Sequence, residues 1–597
     1  MTTILVQEFA IKKTIDKGQF WDMFKNRAVV VTDLPPGRSR DLANRVNEAE
    51  GKGDASLRTK AEYSALFDLL LHDPGSVPTP VELTLLDENG HVTATGRAIE
   101  DYFEGSKGKD EFFDQDMYMV HVTHWPQEHL QPAEPVESSG DAHLALWQTH
   151  PRDERSIPPP DDEGVLFATS TFSLVNSGNR TARAPKRSWK INFEPGNDDD
   201  RLVGMSRLNL KAMYNDPSQM REALAWYLFD KVGVPSSRHT YAKLAINDRY
   251  MGLFSLIEQV DRRFLKDHFG KNDRGNLYKA YCGDIGCATL EHRVGNDGDD
   301  GGHQYLTVGS KDQTYRLKTN EDDGSANTYD DLARFIRIIN GIGLPGGDDR
   351  FNSDAFRESV EDILNVNCFL RWASLNLLIG SWDNYFATPA NYYLYNSGRK
   401  GSEKDFVGSP YFTFIPWDYD NSFGTDYFGT QWQYTDIVEW PSNTTAYWRK
   451  QGSRTWTSRI PLVQNLLRNR DFLQYYLDHL EYLLETAFAP DTISAQIGSD
   501  GDGGLWDRVC HAAYLESCTL HGKPFTGRQF TNDEVYLSAY KQNELRHGDS
   551  KIEGIFHYVR MRYDSAREQL TTFRKTYPRG ASGATFSGIM ETLPGRD

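Results

Sequence analysis

Residues 412–424 read FTFIPWDYDNSFG, and thirty residues earlier residues 381–385 read SWDNY. In both, an aspartate follows a tryptophan at the end of a strongly apolar run. Residues 361–379, EDILNVNCFLRWASLNLLI, are apolar nearly all round, the mark of a helix buried inside a helical body, and they deliver the chain to Asp383. The strand candidate FTFIP likewise leads to Asp418, with Asp420 two residues on. Carboxylates at the ends of buried elements are costly unless cations neutralise them. Oxygen ligands of this kind suit Mg²⁺ or Mn²⁺, which take one or two carboxylates and complete their shell with phosphates and water. Turn chemistry is the plainer alternative, since Asp is a common turn residue.

Working outward, RSWKINFE reads as a strand in which Trp189, Ile191 and Phe193 share one face and Lys190 lies on the other beside Asn192. Asp216-Pro217-Ser218-Gln219 has the form of a helix start and Gly233 with Pro235 that of a stop, predicting a helix over about 217–232. Its apolar stripe is Met220, Ala223, Leu224, Tyr227 and Leu228. Glu222 falls opposite, near Trp226 and Phe229, where a carboxylate calls for a cation; Lys190 is one candidate, Arg221 and solvent are the others. HTYAKLAI and RYMGLFSLI form a hairpin around Asn247-Asp248 that ends at Glu258 and passes into the polar helix DRRFLKDHF.

Further out, VELTLLD and HVTATGRAI flank Asn89-Gly90 as a first hairpin, and a sheet is expected to begin there. Residues 126–163, rich in Pro, Asp, Glu and Ser, read as an exposed insertion. The strand text GVLFATSTFSLV is joined to RSWKINFE by a stretch with Gly178 and the cations Arg180, Arg183, Lys186 and Arg187. Near the start, AVVVTDL reads as a strand and Thr59–His72 as a helix; near the end, helices are expected over 461–487, 530–545 and 552–573.

Composition sets the outer bounds. The chain has 597 residues, 38% hydrophobic and 25% charged, which is globular rather than disordered text. A net charge of -19 would repel a phosphate backbone, so nucleic acid is not the expected partner. There is no long apolar window and no export-signal pattern, so a soluble chain without membrane insertion is expected. Five scattered cysteines fit reduced thiols and a cytoplasmic location. Cys282, Cys287 and His292 lack a second ligand pair for zinc, and the Asp-Gly runs at 296–301 and 500–503 do not complete a calcium loop.

Taken together, PKRSWKINFE, PSQMREALAWYLFDKVGVP, YMGLFSLIEQVDRRFL, GNLYKA, SWDNY, NYYLY and FIPWDYDNSFG resemble the CotH kinases, a spore-coat-type branch of the protein-kinase-like fold, over about residues 170–430. The resemblance implies an α+β, two-lobed fold: an N-terminal extension at 1–78, a β-rich nucleotide-binding lobe at 79–260 and a helical lobe at 261–597. By kinase logic it implies that Lys190 holds ATP phosphates, Glu222 positions Lys190, Asp383 acts at the acceptor hydroxyl and Asp418 binds metal, with Asp420 a second ligand. Arg180 lies on the loop that would cover the phosphates. Glu258 falls where a hinge would meet adenine, although a helix-initiating acid would also explain it. Lys186 rivals Lys190. The chain departs from kinases where a metal-binding Asn is due: Thr388 stands there, leaving Asn391 or Asn384. The implied activity is ATP-dependent phosphorylation of Ser or Thr on a protein or peptide, and the acidic balance favours a basic acceptor. Adenylyl transfer, ATP-dependent ligation and a non-catalytic scaffold are the alternatives.

Overall fold

Alternation of apolar and polar side chains builds the largest element of the computed structural model. It describes residues 109–576, apart from interruptions of which the longer are 127–135, 154–163, 179–183, 194–201, 307–313, 399–404, 439–459, 517–528 and 541–544, and five strands nearer the N-terminus. Nine strands form one sheet: β1 (Met117–Thr123), β2 (Val136–Glu137), β3 (His143–Gln148), β4 (Val165–Thr169), β5 (Phe172–Ser177), β6 (Ser188–Phe193), β7 (Arg207–Lys211), β8 (His239–Ile246) and β9 (Arg249–Ile257). Their order is β2-β5-β6-β7-β9-β8-β1-β3-β4. Neighbours are antiparallel except β8 and β1, which run parallel.

One face of this sheet closes its own apolar core, with Trp189, Ile191 and Phe193 of β6 against Leu208 and Leu210 of β7 and Leu244, Phe254 and Leu256 of the hairpin. On the other face, helix α1 (Arg221–Lys231) packs Met220, Leu224, Leu228 and Phe229 against Leu253 and Ile257, and this core runs on into the helical part of the chain. There, every residue of α2 (Val366–Ile379) is buried, as its all-round apolar text requires. Asn365 caps it by accepting from the Cys368 amide at 3.3 Å, and Gly380, at φ 59°, ends it. Full burial of each Leu, Ile or Phe contributes about 1.5–3 kcal/mol, which makes this helix the anchor of the helical core.

A second, antiparallel sheet of β10 (Asn276–Ala280), β11 (Tyr315–Leu317), β12 (Tyr392–Asn396) and β13 (Phe412–Pro416), in the order β11-β10-β12-β13, sets Phe414 of β13 against Trp372 of α2 and leads from β13 into the loop of Asp418. Helices α3 (Arg470–Glu485) and α4 (Ile555–Thr576) complete the parts used below. Strands and helices thus mix in an α+β fold. Among the described residues no helix is long and apolar enough to cross a membrane.

Several expectations need correcting. The 126–163 insertion is not a plain loop: it contains β2 and β3, and β3 buries Leu144, Ala145, Leu146 and Trp147 at the heart of its run. The hairpin of 81–100 pairs with Val6–Ile11 and Ala28–Thr32 in a separate five-stranded sheet, so it joins the N-terminal segment and not the nine-stranded sheet. Helix α1 begins at Arg221, four residues late, because Gln219 takes a left-handed φ of 56° that no helix continues through. Cys282 and Cys287 face each other across a two-stranded hairpin and are joined as a disulfide, while Cys368 and Cys510 are buried thiols outside any disulfide. The helix expected over 59–72 lies outside the described residues.

The helix expected over 461–487 is two, Pro461–Leu466 and α3, divided at Asn469. The Asn469 side chain accepts from the amides of Asp471 (3.1 Å) and Phe472 (3.4 Å) and donates to the Phe351 carbonyl at 3.1 Å. Asn469→Ala should therefore loosen the start of α3 by about 1 kcal/mol, read as roughly five-fold faster amide exchange across its first turn with the rest of the helix unchanged.

Candidate functional site

The site is assembled from one strand end, one helix start and two loops. In β7, Leu208 and Leu210 point into the sheet's own core, so Arg207, Asn209 and Lys211 project from the opposite face. Lys211, at the strand's end, meets α1. Its ammonium lies 3.3 Å from Oε1 of Glu222, which is 1% exposed, and forms a short ion pair with Oδ1 of Asp418. The cation that the sequence reading supplied from Lys190 therefore comes from Lys211. Glu222 also accepts from the Tyr419 amide at 3.4 Å, and its Oε2 is buried with no hydrogen-bond partner.

Loop 417–424 is wedged into place by Tyr419. Its ring meets Trp226 and Phe229 of α1 edge-on, at 5.3 and 4.7 Å between centroids, and its hydroxyl accepts from Trp372 Nε1 of α2 at 2.7 Å. With Tyr419 held from both helices, Asp418 turns out at φ 68°, a conformation that aspartate tolerates better than most side chains. Its carboxylate is 30% exposed and turned to Lys211. Asn421, from the same loop, donates to Oδ2 of Asp383 at 3.3 Å and accepts from Asn215 at 3.4 Å. The two acid-bearing loops, separated by some thirty residues, thus converge. Asn391, at φ 52°, donates to the Asp383 carbonyl at 2.8 Å and closes the lengthened loop on itself. Asn384 is buried in bonds to Asn376 and Ser381 and is turned away from the acids.

Electrostatics here are one-sided. Burial raises the Glu222 carboxyl above its usual range, with Lys211 pulling the other way and Asp420 adding to the rise. Burial also raises Asp420, again opposed by Lys211. Asp216 is compensated separately, in a fully buried pair with Arg221 at 2.5 Å. Two carboxylates, Glu222 and Asp418, contact the ammonium of Lys211, and Asp420 feels its charge without touching it. An all-oxygen donor set with surplus negative charge and an orphaned buried oxygen on Glu222 fits a hard divalent cation. Among the described residues no three acid, His or Cys side chains form a ligand group for a metal ion.

Next to this acidic end lies a cationic wall. Lys190 pairs across β6 and β7 with Asn209, which puts Arg207 and Lys211 on either side of it on one face. From the second sheet, Lys279 stands opposite Arg316 and Tyr393. The indole of Trp417 lies between the ammoniums of Lys211 (5.6 Å) and Lys279 (5.5 Å), so the two sheets bring their basic faces together. Burial, followed by Lys279, Arg207, Lys318 and Lys211, pushes Lys190 down to about 8. Among the described residues, Lys190, Arg207 and Lys279 have no carboxylate at ion-pair distance. A half-buried, like-charged group of this kind would suit an anion.

Other candidates fall elsewhere. Lys186 is buried behind the sheet, 2.9 Å from Glu516 and donating to the Leu253 carbonyl at 2.5 Å, so it does not reach the cleft. Both oxygens of Glu258 are engaged, one in a short bond from Lys109 and both by Arg238 at 2.9 and 3.1 Å, which makes it part of a buried ion network and not a contact offered to a base. Arg180 and its loop lie outside the described residues. The residues that sequence reading missed are Lys211, Lys279 and Asn421; the alternation Arg-Leu-Asn-Leu-Lys at 207–211 was the available signal for the first.

A strand lysine bound to a helix carboxylate, beside one loop aspartate that the lysine also touches and a second that closes a buried helix, is the constellation of kinase-like phosphotransferases. The chain belongs to the CotH kinase family: the family profile described as CotH kinase protein matches residues 175–499, just over half of its length. It is 23% identical over 440 residues to inner spore coat protein H of Bacillus subtilis (strain 168), covering 72% of this chain and 98% of that one. It is 39% identical over 72 residues to the inner spore coat protein H-like protein of the same organism, 12% of this chain and 22% of the other. With invasin CotH2 of Rhizopus delemar it shares 21% over 262 residues, 44% of this chain and only 38% of the fungal protein.

Two outcomes follow. With its ammonium half discharged near pH 8, Lys190 should be acylated ahead of the exposed lysines, at a rate that climbs as pH passes about 8; pyrophosphate, by stabilising the charged form, should slow it, as peptide mass mapping would show. Lys186→Met, which leaves Glu516 buried and unpaired, should cost about 3–5 kcal/mol of stability, seen as a lowered melting temperature with no change in the protection of Lys190.

Proposed function

We propose that the protein is a kinase that transfers the γ-phosphoryl group of ATP to a Ser or Thr hydroxyl of a protein or peptide, using Mg²⁺ or Mn²⁺, in a two-lobed arrangement whose cleft lies between the nine-stranded sheet and the helical part. The observation that carries this reading is Lys211 bound to both Glu222 and Asp418. In this reading Glu222 holds the lysine at the cleft, and Lys211 with Lys190, Arg207 and Lys279 offsets the charge of the phosphate chain. Asp418 and Asp420 would hold the divalent ion, which supplies further charge neutralisation to the phosphates when bound. Asp383, aimed by Asn421, orients the acceptor hydroxyl and takes its proton as the new oxygen–phosphorus bond forms and the bond from the γ-phosphorus to the bridging oxygen breaks, releasing ADP. The net charge of -19 favours a basic acceptor segment by long-range attraction.

The test is incubation of the full chain with ATP, Mg²⁺ or Mn²⁺ and Ser/Thr-containing basic peptides, with product nucleotide and acceptor mass followed together. A phosphate-sized mass gain with ADP release is expected. Lys211→Met and Asp418→Asn should each lower transfer by about 10²-fold or more, and Asp383→Asn by about 10²–10⁴-fold, whereas Lys190→Met should act more on the ATP KM. An adenylyl-sized gain would move the reading to AMP transfer, nucleotide binding without turnover would leave a scaffold, and a fully active Lys211→Met would sink the assignment.

A further inference from the structure

Helix α1 must keep its first turn still, because Glu222 sits there. Its neighbour Arg221 is fully buried, yet it does not serve the cleft. Its guanidinium spends every nitrogen on holding segments together. Nε donates to the Ser422 carbonyl at 3.1 Å; Nη1 donates to Asp216 (2.5 Å), Ser218 (3.1 Å) and Ser538 (2.9 Å); Nη2 donates to the Glu553 carbonyl at 2.6 Å. One side chain thus ties the start of α1 to the loop of Asp418 and to two points more than three hundred residues away.

Those distant points belong to a single stretch that grips the site elsewhere. Thr425–Asp426, just past the acid loop, pairs antiparallel with Ser550–Ile552, and the Glu553 amide donates to the Gly424 carbonyl at 3.0 Å. A Cβ on Gly424 would come within 2.6 Å of Glu553 and 3.1 Å of the Tyr558 ring. Tyr558, in the first turn of α4, donates to the Leu378 carbonyl at 3.2 Å at the end of α2, and a Cβ on Gly380 would fall 2.1 Å from its hydroxyl. Helix α1, loop 418–424 and the end of α2, the three elements that present Glu222, Asp418 and Asp383, are therefore all fastened by Ser538 and residues 550–558. The family match ends at residue 499.

We infer that Ser538 and residues 550–558 are an intramolecular clamp that keeps Glu222 on Lys211, and that Arg221 is the positioning residue through which the clamp acts. This rests on the kinase reading for its effect on turnover, but not for its effect on α1. In kinase-like enzymes the helix that carries the glutamate must be in place for transfer to occur; here that placement is supplied in cis by the C-terminal part of the chain, with no ligand or modification needed to create it. Lysine at position 221 could still pair with Asp216, but its single ammonium cannot span Ser422, Ser538 and Glu553 as the planar guanidinium does.

The experiment uses the full-length chain carrying Arg221→Lys, and a second variant, Asp216→Asn with Arg221→Met, which removes the buried charge mismatch that Arg221→Met alone would leave. Amide exchange over residues 221–231 is measured without substrate, and ATP turnover separately. The clamp predicts at least tenfold faster exchange in this helix for the double variant, with an intermediate increase for Arg221→Lys, while the amides of α2 keep their protection. It predicts kcat lowered about tenfold or more, in the same order, with the ATP KM within about threefold of wild type. Wild-type exchange in both variants would overturn the clamp. Faster exchange with unchanged kcat would overturn the positioning role. If the unaltered protein shows no transfer, the kinase reading fails on that result alone, and the exchange measurement still decides the clamp.

Discussion

A carboxylate taken out of water needs a counter-charge, and in this chain three of them share one. Glu222 and Asp418 hold the ammonium of Lys211, Asp420 depends on the same charge from further off, and the surrounding structure is arranged to keep them there against their mutual repulsion. Tyr419 plugs the acid loop between α1 and α2, and Asn421 draws Asp383 toward the same point. Opposite stands a group of lysines and arginines with the reverse problem. Acid and base are kept apart, except at Lys211, so each end of the cleft retains an unmet demand for charge. A triphosphate carrying a divalent ion, the ligand proposed above, would answer both at once.

Local chemistry made much of this readable in the residues themselves. The all-round apolar text of 366–379 could only be a buried helix, and its end delivers the chain to Asp383, whose carboxylate accepts from Asn421. The hairpin at 239–257 followed from alternation and its Asn-Asp turn. What failed was pairing across distance. Lys190 looked like the partner of Glu222 because aromatic neighbours made its strand conspicuous; β7 is only five residues long and its two leucines gave a faint alternation. Once β7 is placed, it stands between β6 and β9, and its last residue is the lysine that reaches α1.

The same limit explains the other corrections. Glu258 meets Lys109 across 149 residues, and Lys186 meets Glu516 across 330, so no local pattern could announce that either was already engaged. The cysteine argument weighed the whole chain, where five in 597 is sparse, but a hairpin brings Cys282 and Cys287 together irrespective of the average. Propensity also lost to tertiary context at 216–220: Asp216 is not the residue flanking the helix, but from further out it accepts from the Arg221 amide, the first of α1, and from the Arg221 guanidinium.

The parallel seam between β8 and β1 has a consequence for anyone trimming this chain. Strands β1, β3 and β4 all precede residue 175, where the family match begins, yet they extend the sheet beyond β8. Remove them and β8, whose residues are almost all buried, becomes a long bare edge with open amides and carbonyls, the surface on which sheets from separate molecules stack. The added strands act as a selvedge: they stop the weave from fraying into aggregates, and a fragment cut at residue 175 would be expected to precipitate.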